Sequence, residues 1–96
     1  MRVSTLFVSQ RKLRDVAQIP TMIETLRDGG TLPPITLARD EYGVVQVEDG
    51  HHRLIAMWLA GQTELEAHQY LLVEKDQWRP RFGNVADLAT RCGIQS

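Results

Sequence analysis

Residues 44–61 read VVQVEDGHHRLIAMWLAG, and the change of period inside this stretch decides the fold. Val44, Val45, Gln46 and Val47 have the β-branched composition of a strand. Asp49-Gly50 breaks that strand, and Leu54, Ile55, Met57, Trp58 and Leu59 follow in a segment apolar on most sides, closed by Gly61 at a helix C-terminus. A strand therefore turns through one glycine straight into a buried central helix. Just upstream, Asp40-Glu41-Tyr42-Gly43 has turn composition, and Ile35-Thr36-Leu37-Ala38 supplies the other arm of a β-hairpin. Pro33-Pro34 holds the chain extended on its way into that arm.

Toward the N-terminus, residues 3–9 are rich in β-branched and aromatic types and predict a first strand leading into a basic cluster, Arg11, Lys12 and Arg14. Ile19, Ile23 and Leu26 then fall at helical spacing, with Gly29-Gly30 as the stop. Two starts fit this helix: at Pro20, with Thr21 and Glu24 as a capping box, or near Asp15, with Pro20 as a kink. Toward the C-terminus, Gln62-Thr63-Glu64 connects to a strand between Leu65 and Glu74, carried by Tyr70, Leu71, Leu72 and Val73. Asn84 suits the N-cap of a last short helix in which Val85, Leu88, Ala89 and Cys92 share a face before Gly93. The expected architecture is α+β, a small mixed sheet with packed helices. It forms a single domain over 1–96, with a core at 3–74 and a C-terminal helical tail at 84–93.

Composition narrows the function. The 96 residues are 43% hydrophobic and 24% charged, enough apolar surface for one real core and too little chain for a second. A net charge of −1 gives no global positive field, so any contact with nucleic acid or an anionic membrane has to be local. Arg11, Lys12 and Arg14, with the thinner pair Arg79 and Arg81, read first as a solvated face and second as a local DNA or protein contact. Trp58 reads as core, while Trp78 and Phe82 read as candidates for an assembly surface. One cysteine, Cys92, excludes an internal disulfide and a zinc knuckle, and no stretch approaches the length of a membrane span. A cytoplasmic protein that does not cross the membrane is expected.

The chemistry concentrates at Asp49-Gly50-His51-His52-Arg53. The first amides of a helix lack internal partners and sit at the positive end of its dipole, so a strand-to-helix turn at this point is an anion site. Gly50 lets backbone approach the ligand, Arg53 on the first turn offers two parallel charge-assisted bonds, and His52 adds a donor. Asp49 is available to cap the helix. The tandem His51-His52 invites a metal, but adjacent helix positions diverge and His68 lies far off in sequence. Donors converging from backbone, imidazole and guanidinium suit nucleotide phosphates.

At these residues the chain resembles the ParB/sulfiredoxin superfamily. The resemblance covers roughly residues 3–74 and rests on an order of features. These are a helix ending at Gly29-Gly30, Pro34-Ile35 at the start of a strand, the hairpin arm Val44 to Val47, Gly50-His51-His52-Arg53 opening a helix, and Ala60-Gly61 closing it. It implies a nucleotide site for ATP, ADP or CTP with Mg2+, in which Gly50, His51, His52 and Arg53 hold phosphates and the Gly30 to Pro34 loop borders the base or sugar. Asp49 and His52 would then be the catalytic pair, Asp49 also the metal ligand. Sulfiredoxins place a catalytic Cys where this chain has His51, which argues against sulfinic acid reduction. ParB-like free serine kinases are similar at Asp49 to Arg53 and transfer phosphate to a small hydroxyl compound, but their acidic base near the end of the first strand is replaced here by Ser9-Gln10-Arg11-Lys12. Partitioning ParB proteins add a helix-turn-helix domain that these 96 residues leave no room for. A nuclease needs a carboxylate cluster, and the motif offers only the adjacent Glu48 and Asp49. The rival expectation is a non-enzymatic accessory that binds DNA or a protein partner.

Overall fold

A computed structural model describes residues 1–75 and 81–93. In chain order the elements are α1 (Gln18–Arg27), β1 (Ile35–Arg39), β2 (Val45–Asp49), α2 (His51–Leu59), β3 (Tyr70–Glu74) and α3 (Val85–Cys92). The three strands form one mixed sheet in the order β2-β1-β3, with β1 antiparallel to β2 and parallel to β3. The fold is α+β, as composition and periodicity predict.

The hairpin forms where the turn chemistry put it. The Asp40 carboxylate accepts from the amides of Tyr42 and Val44, and Gly43 takes φ 80, so the turn is built by its own side chain and its own glycine. Ile35, Leu37 and Val47 are buried in the same core as Leu54, Ile55 and Met57 of α2. One irregularity falls at the far end of the hairpin. Thr36 pairs with Asp49 and Leu37 with Val47, so Glu48 is an extra residue on β2. Such a bulge bends the strand and re-aims its side chains just before the turn into α2.

The expected first strand is mostly absent. Val3–Thr5 is a 3-10 turn, and among the described residues the bridges nearby are those of Phe7, in parallel with Gln46 and antiparallel with Asn84, and of Arg2, antiparallel with Glu64. The buried positions explain this: Val3 and Leu6 are fully buried at a spacing of three, which suits a 3-10 turn rather than a strand. The Thr5 hydroxyl closes the turn by donating to the Arg2 carbonyl.

The Thr21-Glu24 capping box is also not formed. The helix starts at Gln18, and Thr21 lies inside it. The lead-in from Asp15 supplies the start instead, its carbonyl accepting from the Gln18 amide and its carboxylate from the Gln18 side chain. Pro20 is the third helical residue, where an amide would have no internal partner to lose, so it neither starts nor kinks the helix. Gly29 ends the helix at φ 84.

β3 is shorter than the sequence suggested. Leu65 is buried on its own, and a 3-10 turn at Ala67–Gln69 with a Glu66-Gln69 capping box precedes the strand. α3 forms as expected, with Asn84 and Asp87 bonded reciprocally at its start and Gly93 at φ 67 at its end. It is part of the one core, since Val85 and Leu88 are fully buried and Phe82 packs on the same cluster. Trp58 is half-buried against that cluster, and Trp78 lies outside the described residues. No helix among the described residues is long and apolar enough to cross a membrane.

Candidate functional site

β2 delivers the chain into α2 through Gly50, which takes φ 102 and ψ 30 as the N-cap residue. An added Cβ there would lie 2.6 Å from Ile35 Cγ2 and 3.1 Å from Arg53 Nη2. The glycine is thus required twice, for the left-handed backbone and for the close approach of β1. Asp49 does not cap the helix: among the described residues its carboxylate bonds to Arg53 Nη2. Among the described residues no group accepts from the His52 or Arg53 amides, which leaves donors at the positive end of α2.

The motif side chains diverge. His51 is buried, and its Nε2 accepts from the Ser9 amide at 3.1 Å, so the ring faces the core and the N-terminal segment. His52 turns the other way, its Nε2 accepting from the Asp15 amide at 3.1 Å. The two imidazoles together fasten both ends of the segment between Ser9 and Asp15 to the first turn of α2. Arg11, Lys12 and Arg14 lie within that segment and are exposed, so the basic cluster that looked separate in sequence flanks the motif.

Arg53 is less free than its position suggested. Its Nη1 donates to the carbonyls of Pro33 and Pro34 at 3.2 and 2.8 Å, and its Nη2 donates to Asp49 at 3.2 Å. The guanidinium therefore ties the Pro33-Pro34 segment to α2 and brings Pro34 to the motif. Gly30 stays with α1, its amide bonded to the Thr25 carbonyl. The Asp49 carboxylate is 77% exposed and held by Arg53 through that one ion pair, whereas the Arg53 side chain is only 20% exposed. An exposed carboxylate so placed occupies the ground an incoming anion would take.

Asp49 and Glu48 do not act together. Glu48 lies on the bulge with its carboxylate 2.6 Å from Lys75 Nζ. Among the described residues no group of three or more His, Cys, Asp or Glu is placed to hold a metal ion. Asp49, beside a guanidinium, would be the motif carboxylate to meet a nucleotide-bound magnesium, and no step below passes through one.

One contributor carried no sequence signal. Arg91, in the last turn of α3, donates from Nε to the Arg11 carbonyl and from Nη2 to the Phe82 carbonyl, both at 2.8 Å. It lies 80 residues from Arg11 in sequence, and only the packing of α3 reveals it. Arg81, by contrast, is engaged, 2.7 Å from Asp40 and over the Phe7 ring, and Arg79 lies outside the described residues. No family model matches the chain, and neither does any curated protein or solved structure.

Proposed function

We propose that the start of α2 binds the phosphate groups of a nucleoside di- or triphosphate, with ATP, ADP and CTP as the candidate ligands. One observation carries this reading: the His52 and Arg53 amides have no acceptor among the described residues, at the positive end of a helix entered through left-handed Gly50. The ParB/sulfiredoxin resemblance of Gly50 to Arg53 points the same way. Arg53 contributes its charge and the donors its three acceptors leave over. Asp49 acts as the resident anion that phosphate displaces. Its exposed pair with Arg53 is worth at most about 1 kcal/mol, a small cost for the exchange.

The reading is one of binding. His52 Nε2 accepts a backbone amide and Asp49 pairs with Arg53, and the proposal assigns neither a catalytic step. Calorimetry with ATP, ADP, CTP and adenosine separates the contributions. Heat should appear with the phosphorylated ligands and not with adenosine, and weaken as salt rises. Absence of heat with all three nucleotides, or equal binding of adenosine, removes the proposal. Asp49→Asn decides the role of that residue: as a competing anion its loss tightens binding by about threefold to tenfold, whereas as a metal ligand its loss weakens it.

A further inference from the structure

We infer that the Ser9 to Asp15 segment and the C-terminal turn of α3 form a second surface, flanking the α2 motif, that binds a nucleic acid backbone. Arg11, Lys12, Arg14 and Arg91 are all exposed, and none makes an ion pair among the described residues. The Arg91 bond to the Arg11 carbonyl brings the α3 cation to the segment, so four cations stand against the one carboxylate of Asp15 in a chain whose net charge is −1. A polyanion is drawn to such a local excess of positive charge.

The segment is held by its backbone, so its side chains stay available. His51 and His52 bond its two end amides, Arg91 bonds the Arg11 carbonyl, and buried Leu13 anchors its middle. The Arg11, Lys12 and Arg14 side chains make no hydrogen bond among the described residues. Among the described residues, Arg91 in turn has only carbonyls to meet its charge.

The chemistry favours nucleic acid over an acidic protein. Protein interfaces centre on aromatic and aliphatic side chains, whereas nucleic acid interfaces are polar and strongly positive. The exposed large apolar residues, Tyr42, Leu71 and Leu72, belong to the hairpin turn and β3, and none lies in this segment or in α3. A surface of cations without an apolar centre suits phosphates spaced along a strand, and carries no base readout.

Fluorescence anisotropy of a labelled 20-base-pair duplex, titrated with the full chain across a salt series, tests the inference. Four phosphate contacts give a log K against log salt slope of about −3.6, a loss of affinity of roughly 100-fold between about 50 and 200 mM salt. The R11Q/K12Q/R14Q variant replaces only exposed side chains, and its slope should fall to about −1. An unchanged slope in that variant, a wild-type slope shallower than −1, or displacement of the duplex by polyglutamate at equal charge overturns the inference, the last by assigning the surface to acidic protein. The nucleotide site is scored independently, because the same variant should still bind the nucleotides in preference to adenosine in calorimetry even where duplex binding is lost.

Discussion

At the scale of single residues, Gly50 and Gly43 have the same backbone need and different surroundings. Both have positive φ, but a Cβ on Gly50 meets Ile35 while one on Gly43 meets nothing within 4 Å. Gly43→Ala should therefore cost only the strain of a left-handed alanine, about 1 kcal/mol. Gly50→Ala adds a clash with β1 and should cost about 2–4 kcal/mol, lowering Tm by roughly 10 °C or more. Thermal unfolding followed by circular dichroism ranks the two, and equal losses would show that β1 yields to the added methyl. His51 and His52 differ in the same sense. His51→Ala removes the acceptor of the Ser9 amide in a buried setting and should cost about 2 kcal/mol, whereas His52→Ala at a half-buried position should cost under about 1.

At the scale of elements, the segment between Ser9 and Asp15 is a strap fixed at two points to α2, and its two fixings can be released separately. Amide exchange measured by NMR should quicken at Ser9 in His51→Ala and at Asp15 in His52→Ala, each leaving the other site near its wild-type rate. Coupled acceleration at both sites would mean that the strap opens as one unit. What the sequence made legible follows from the range of the interactions. The hairpin, α2 and α3 were readable because their signals are local: the Asp40 side chain builds its own turn, Gly50 and Gly61 bracket α2, and Asn84 meets Asp87 three residues on. The 3-10 turn at Val3 was misread because β-branched composition says strand while burial at a spacing of three says turn, and burial is visible only in the fold. The site was half legible for the same reason. Gly50 and the α2 amides follow from a local pattern. The capture of Arg53 by Pro33 and Pro34, and of Arg91 by Arg11, depends on contacts 19 to 80 residues apart.

At the scale of the whole molecule, α3 closes the core. Leu88 is fully buried among residues from both halves of the chain. Leu88→Ala should cost about 2–5 kcal/mol, and it should shift the entire unfolding transition rather than loosen α3 alone. In a Trp78→Phe background, where Trp58 is the one tryptophan, fluorescence reporting α2 and far-ultraviolet dichroism should therefore give coincident midpoints; a Trp58 transition left unmoved by Leu88→Ala would make α3 an independent unit. The radius of gyration of 12.6 Å is close to the roughly 12.5 Å expected of a 96-residue domain with a single core. The narrow strip at Phe7 and Val8 gives this architecture a temporal side. It is bonded on one edge to Val45 and Val47 and on the other to Phe82 and Gly83. During synthesis the strip leaves the ribosome well before either of its neighbours. Until they do, the nascent chain carries its fully buried Leu6 and Val8 bare, a natural stretch for a chaperone to hold.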